Sequence, residues 1–229
     1  MAMKPSLSQN ANTIPLPVGQ SVEQRPIELY VFGDTPDNQI DTLILGVFHG
    51  DEPIAGDVCY KLIEHLKIHS TKHSVGIVPV LNPDGLAKEQ RQNANMVDLN
   101  RNYPTKDWKE ADKDTIYYSG RAAASEPETQ VVINLMELHQ PKKIITVHAP
   151  YKVINYDGPA LSLAQSMAAH SGYLVTEDIG YATLGSFGTY AGKERNIPVI
   201  TLELPEDEPL EAVWKDNQQA LIAAIEFQG

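Results

Sequence analysis

The sequence predicts an α/β fold, with a mixed, largely parallel β-sheet flanked by helices on both faces. Apolar runs of strand length alternate with helical patterns along the chain, which is typical of this class. The runs 41–48 and 197–205 are mainly apolar, as expected for strands that are covered on both faces, and 142–150 is predicted to be a buried strand that ends in His. Because sheets of this kind bind ligands at the carboxyl ends of their strands, the residues that follow these runs are candidate site residues.

The first half of the chain alternates between the two patterns. Residues 26–33 and 41–48 are apolar runs that predict strands. Residues 53–68 carry an apolar residue at every fourth position from residue 54 onward, which predicts a helix. A further strand is expected within 73–85, ending at the Asn-Pro-Asp-Gly turn sequence.

The second half opens with a polar segment, 86–124, that has no clear periodicity. A loop of that length in a compact domain is usually functional. Residues 125–140 then predict a helix, with a Pro in its first turn. The elements expected after it are strand 142–150, helix 159–172, strand 173–178, short helix 186–196, strand 197–205 and helix 208–227.

The domain organisation expected from these patterns is a short arm followed by one domain. Residues 1–24 are polar and interrupted by Pro, which predicts a loosely held arm. The alternating elements then run from residue 25 to residue 229, and this length suits a single domain.

Composition limits the kind of partner. The chain of 229 residues has 18 Lys and Arg against 30 Asp and Glu, a net charge of −12. This charge argues against nucleic acid or an anionic membrane as the main partner, because both attract basic patches. The N-terminus lacks the pattern of a signal peptide and no run is long enough to span a membrane, so a soluble, cytoplasmic protein is expected. The single cysteine, Cys59, is expected to be a core residue.

Three of the apolar runs end in residues that can carry chemistry. His49, His148 and Glu203 each follow or close such a run, and Glu52 comes three residues after His49. A His and Glu pair close in sequence plus one distant His is the ligand set of a catalytic zinc. The pair by itself fits a solvated His beside a helix cap better than a metal site; the second His and the third strand end favour the metal.

The loop sequence RQNANMVDLNRNYP, residues 91–104, contains two Arg, four Asn and one Asp. Arg binds carboxylates through two parallel hydrogen bonds, and Asn adds further donors. The loop is therefore a candidate site for an anionic group, with an ordinary solvated polar loop as the alternative.

The chain resembles the zinc carboxypeptidases of the carboxypeptidase A class, and within it the bacterial murein peptide amidases. The matching segments occur in the family's order from residue 41 to about residue 205. They are HGDE, NPDG, RQNANMVDLNRNYP, SEPETQ, TVHAP, GYATLGSFGTY and TLELP. The resemblance implies a single catalytic domain of this family over residues 25–229.

The resemblance also implies a role for each matching residue. His49, Glu52 and His148 would ligate one Zn²⁺ ion per chain, and Glu203 would be the general base. The remaining roles implied are stabilisation of the oxyanion by Arg91, binding of the terminal carboxylate by Asn100 and Arg101, closure over the substrate by Tyr181, and orientation of His49 by Asp98. The Tyr assignment has rivals in Tyr151, Tyr156 and Tyr190.

The function implied is hydrolysis of the γ-D-Glu–meso-diaminopimelate bond of a murein tripeptide, with release of diaminopimelate in peptidoglycan recycling. The alternatives are a zinc deacylase related to aspartoacylase or succinylglutamate desuccinylase, and a binding module that keeps the fold without catalysis. The expected partner is a small murein-derived peptide, with no nucleic acid or membrane partner, and a homodimer is an oligomeric state that the sequence allows. Glu177 and Asp178 are candidates to bind the far amino group of diaminopimelate.

Overall fold

The computed structural model describes residues 14–35, 38–178, 180 and 183–228, which fold around one eight-stranded mixed sheet. In spatial order the strands are β1, β2, β4, β3, β5, β8, β6 and β7. Strands β4, β3, β5 and β8 are mutually parallel and form the centre. The antiparallel pairs are β1 with β2, β2 with β4, and β6 with β8. The strands are β1 Leu16–Gln20, β2 Pro26–Phe32, β3 Thr42–Leu45, β4 Val75–Val78, β5 Lys143–His148, β6 Val153–Asp157, β7 Leu174–Thr176 and β8 Val199–Glu203.

The described residues form five α-helices, of which four lie between strands and one follows the last strand. They are α1 Pro53–Ile68, α2 Pro83–Ala87, α3 Pro127–His139, α4 Leu161–Ser171 and α5 Leu210–Glu226. Each of the first three begins with a Pro, whose fixed φ suits the first helical position and whose missing N–H is not needed there. A 3-10 turn, Leu99–Arg101, and a π-helical segment, Gly188–Lys193, complete the elements.

The hydrophobic core lies in two layers, one on each face of the sheet. Because side chains alternate along a strand, Ile44 packs with α1, α4 and α5, while Leu43 and Leu45 pack with α3 on the other face. Cys59 is buried in the first layer, as the sequence predicted. The predicted α/β class, with a mixed and mainly parallel sheet covered on both faces, is therefore confirmed.

The N-terminal segment differs from the expectation of a loose arm over residues 1–24. Residues 16–20 form β1, which pairs with β2, and Ser21 donates a hydrogen bond of 2.8 Å to Asp84. The backbone N–H of Val22 donates to Glu128 over 3.1 Å. Strand pairing uses backbone groups, so a short segment that contains Pro17 and Gly19 can still join a sheet edge. Residues 1–13 lie outside the described part of the chain.

Candidate active site

The three strand ends meet at the carboxyl ends of the central strands of the sheet. Strands β3, β5 and β8 are neighbours, and the register of β5 with β8 places His148 directly beside Glu203. His49 follows β3 after a short turn, and Glu52 is the residue that precedes α1. All four side chains are buried although all four are polar. The structure thus brings together the residues that the sequence predicted as ligands and base.

The turn between β3 and α1 is tightly built. Val47 has φ of 47°, in the left-handed region that a β-branched residue rarely adopts, and its carbonyl accepts a 2.9 Å bond from the Asn82 N–H. A Cβ on Gly50 would lie 2.0 Å from the carbonyl carbon of Gly85, so only glycine allows the two turns to touch. The Asn-Pro-Asp-Gly segment therefore supports the turn that carries His49, and strain of this kind is common at functional sites.

His49, Glu52 and His148 form a compact donor set. The Nδ1 atom of His49 lies 2.7 Å from one oxygen of Glu52, and the Nδ1 atom of His148 lies 3.0 Å from the other. One donor atom from each of the three residues lies within 4.8 Å of the others. Two imidazoles and a carboxylate converging at this distance fit a catalytic zinc, which takes three protein ligands and leaves one position open.

Asp98 links this donor set to the Arg-rich loop. One oxygen of Asp98 lies 3.1 Å from Nε2 of His49, and the other accepts a 3.0 Å bond from Nε of Arg91. Asp98 also caps the 3-10 turn by accepting from the N–H of Asn100 over 2.9 Å. A ligand His whose second nitrogen is held by a carboxylate keeps a fixed tautomer and ring orientation.

The charges in this cluster shift one another's pKa values. Burial lowers the pKa of His49, but Glu52 and Asp98 oppose it and raise that pKa to about 9. Burial would raise the pKa of Glu52, yet His49 and His148 hold it well below its usual range. The pKa of Glu203 is raised, chiefly by burial, and one of its carboxylate oxygens is buried without a hydrogen-bond partner among the described residues.

A cavity of about 600 Å³ opens over these residues and contains the predicted anion-binding groups. Arg91, Asn100 and Arg101 all line it. The carboxamide oxygen of Asn100 accepts a 2.9 Å bond from the N–H of Phe187, which leaves its NH₂ group available. Arg101 donates to the backbone carbonyl of Asn100 over 2.7 Å, which orients the guanidinium.

The predicted closing tyrosine, Tyr181, lies outside the described residues. Of its rivals, Tyr151 lines the cavity and is exposed, whereas Tyr156 donates a 3.2 Å hydrogen bond to Glu177. Tyr190 is buried, with its ring 5.4 Å from that of Tyr103.

Several lining residues were not found by sequence reasoning. The ring of Tyr117 lies over both arginines, with ring-to-guanidinium distances of 5.4 Å to Arg91 and 5.6 Å to Arg101. Asp157 and Lys193 line the other end of the cavity as an ion pair at 3.1 Å. Asp157 ends β6, a strand that was not predicted; the turn sequence Asp-Gly-Pro that begins with Asp157 was the only available signal.

Comparison with known proteins gives consistent matches. The family model for zinc carboxypeptidases matches residues 8–164. Murein peptide amidase A of Vibrio campbellii is 35% identical over 205 residues, which cover 83% of this chain and 79% of that protein. Murein peptide amidase A of Escherichia coli K12 is 33% identical over 174 residues, covering 71% of this chain and 70% of the relative.

Solved structures share the fold. The crystal structure of the murein-tripeptide amidase of Escherichia coli O157 has a TM-score of 0.78 at 24% identity, covering 94% of this chain and 92% of that one. Carboxypeptidase A of Helicoverpa armigera has a TM-score of 0.80 at 19% identity, covering 93% of this chain and 68% of that one. At these identities the structures support the fold alone. Among the described residues, no helix has the length and apolar character needed to cross a membrane.

Proposed function

Because the chain belongs to the zinc carboxypeptidase family, we propose that it is a zinc-dependent murein peptide amidase. Its reaction would be hydrolysis of the γ-D-Glu–meso-diaminopimelate bond of the murein tripeptide L-Ala-γ-D-Glu-meso-diaminopimelate. Two relatives called murein peptide amidase A, at 33% and 35% identity over most of the chain, support this substrate. The observation that carries the chemistry is that three pairs of side chains line one cavity. They are the imidazoles of His49 and His148, the carboxylates of Glu52 and Glu203, and the guanidinium groups of Arg91 and Arg101.

His49, Glu52 and His148 would hold one zinc ion per chain. Their donor atoms lie within 4.8 Å of one another and come from elements fixed by the sheet and by α1. When it is bound, zinc polarises the scissile carbonyl and lowers the pKa of water, so that attack can proceed near neutral pH.

Glu203 would act as the general base. It lies beside His148 in the strand register, and its buried oxygen without a partner is free to accept the proton of the attacking water. Burial raises its pKa, which brings the carboxylate closer to the range in which it can also return that proton to the leaving amine. The same residue can therefore serve both halves of the hydrolysis.

The arginines and Asn100 would bind the charged parts of the substrate. Arg91 lies 3.8 Å from the nearest Glu52 oxygen, close enough to the donor set to stabilise the negative charge that develops on the scissile carbonyl. Arg101 and Asn100 would hold the terminal carboxylate of the residue being released. Asp98 would position His49 and Arg91 through its two oxygens. The part played by Tyr181 stays a prediction.

A comparison of three substrates tests this proposal. The zinc-loaded protein is incubated with the murein tripeptide, with N-acetylaspartate and with an ordinary peptide ending in Phe. Release of diaminopimelate that a chelator abolishes is the expected result. Turnover of N-acetylaspartate alone would instead support the deacylase alternative, and no turnover of any substrate by a zinc-loaded protein would support the binding module.

Three expectations from the sequence join this proposal. The substrate places the reaction in peptidoglycan recycling, and a cytoplasmic location would suit an enzyme that acts on small peptides already taken from the wall. Cell fractionation would check that location. A homodimer stays a prediction, which light scattering of the purified protein would decide.

A further inference from the structure

The cavity continues well beyond the catalytic residues along the face of the sheet. Strand β6 runs antiparallel to β8 and pairs Val153 with Glu203 and Asp157 with Val199. Asp157 is four residues beyond Val153 along β6, which corresponds to about 13 Å at the rise of a β-strand. Asn155 and Asp157 both line the cavity together with Glu203, as expected for alternate residues on one face. Asp157 therefore lies at the far end of the cavity.

The far end presents two opposite charges side by side. Asp157 is 9% exposed, and one of its oxygens lies 3.1 Å from Nζ of Lys193. Lys193 ends the π-helical segment, and its side chain is 53% exposed. A buried carboxylate is costly without a partner, and a half-exposed Lys can turn toward a ligand at little cost.

The backbone around Asp157 is built to hold its carboxylate in place. A Cβ on Gly188 would lie 2.0 Å from an oxygen of Asp157, and a Cβ on Gly192 would lie 2.6 Å from the Cβ of Asp157. Any larger residue at either position would displace the acid. Gly188 also lines the cavity, so the missing side chain leaves room beside the carboxylate for a ligand.

We infer that Asp157 and Lys193 bind a second amino-acid head group at the far end of the released residue, Asp157 taking its ammonium and Lys193 its carboxylate. This inference rests on the proposed function, because diaminopimelate carries such a head group on the carbon at the far end of its chain. An extended chain of six single bonds spans about 7 Å, and a hydrogen bond of about 3 Å at each end brings the reach to about 13 Å. That reach matches the separation between Glu203 and Asp157 along the sheet.

The two acids expected from the sequence to bind this ammonium are less suited to it. Glu177 and Asp178 line the cavity but are exposed, so water and salt screen their charges. Asp178 accepts a 2.7 Å bond from the N–H of Gly180, which commits it to a turn. Glu177 already accepts from Tyr156 and serves as the matched control for Asp157.

Three γ-glutamyl tripeptides separate the two charges. One ends in meso-diaminopimelate, which has both far charges, one in lysine, which has only the ammonium, and one in norleucine, which has neither. Asp157→Asn should lower kcat/KM about 10- to 100-fold for the first two and leave norleucine unchanged, because a buried charge-assisted bond is lost. Lys193→Met should lower only the diaminopimelate value, about 3- to 10-fold, since Lys193 is half exposed and water screens its contact with the ligand carboxylate. Glu177→Gln should change each value less than about 2-fold.

Binding of free amino acids to the zinc-loaded protein gives a second measurement that needs no turnover. Calorimetry should show weaker binding of diaminopimelate and lysine to Asp157→Asn, and of diaminopimelate alone to Lys193→Met. Equal effects of Lys193→Met on the binding of diaminopimelate and of lysine, or equal effects of Asp157→Asn and Glu177→Gln, would overturn the inference. If Asp157→Asn does not fold, Lys193→Met decides by itself. A wild-type protein that binds diaminopimelate in this way but cuts none of the tripeptides would refute the proposed function and leave the inference standing.

Discussion

The two ends of the cavity are built in different ways. At the proposed catalytic end, Glu52 contacts His49, His148 and Arg91. Asp98 contacts His49 and Arg91, and all of these groups are largely buried. At the far end, Asp157 has one ion pair within the described part of the chain, to a Lys that is half exposed. In a network where each polar group hydrogen-bonds to the next, removing one group disturbs the positions of all the others. A single ion pair can be removed without disturbing other groups. Changes at the catalytic end should therefore affect every substrate equally, and changes at the far end should depend on the substrate.

The largest effect is expected from His148→Ala. Removing one of three proposed ligands should lower zinc affinity by more than about 100-fold, beyond the cost of losing an outer hydrogen-bond partner, and abolish turnover of all three tripeptides. Metal analysis after dialysis measures it, and His170→Ala, an exposed His at the end of α4, is the control. A variant that keeps its full zinc content would remove His148 from the ligand set.

Glu203→Gln should separate metal binding from proton transfer. We expect kcat to fall about 10²- to 10⁴-fold, the usual contribution of a general base, with zinc content unchanged. The loss should be the same for all three tripeptides. Steady-state kinetics measures this effect, and Glu206→Gln is the control, because that acid also lines the cavity but is exposed. Loss confined to the diaminopimelate substrate would contradict the division between the two ends.

Asp98→Asn tests the carboxylate that contacts both His49 and Arg91. Asp98 holds both His49 and Arg91, so the substitution should lower zinc affinity about 10- to 100-fold while the protein stays folded. Competition with a chelator of known affinity measures the change, and exposed Asp114 provides a control as Asp114→Asn. Wild-type zinc affinity in the Asp98 variant would show that His49 keeps its orientation without this carboxylate.

The smallest effect is expected from Tyr117→Leu. The ring contacts both arginines from an exposed position, where each such contact contributes about 0.5–1 kcal/mol. KM should rise about 2- to 10-fold for every tripeptide with little change in kcat, because the arginines lose order before substrate binds. Ile116→Ala removes a neighbouring exposed side chain and should leave KM unchanged. A change in kcat alone would show that Tyr117 acts in the reaction itself.

The difference between the two ends of the cavity also explains which site residues could be predicted from the sequence. His49, His148 and Glu203 follow apolar runs, and parallel neighbouring strands necessarily bring such ends together, so the catalytic end was predictable. Asp157 lies on β6, whose partner β8 is more than forty residues further along the chain, and an antiparallel return strand of five residues has no periodicity of its own. Tyr117 lies in the irregular loop 86–124, where only the three-dimensional structure shows which arginines it contacts.

The first strand has a consequence for how the protein can be shortened. Strand β1 covers the outer edge of β2, and the hydrogen bonds from Ser21 to Asp84 and from Val22 to Glu128 fasten it there. Without this cover, the free N–H and C=O groups of β2 would be a template for pairing with another molecule. A version cut back to residue 25 would therefore tend to aggregate through its exposed sheet edge, even though every residue of the cavity would still be present.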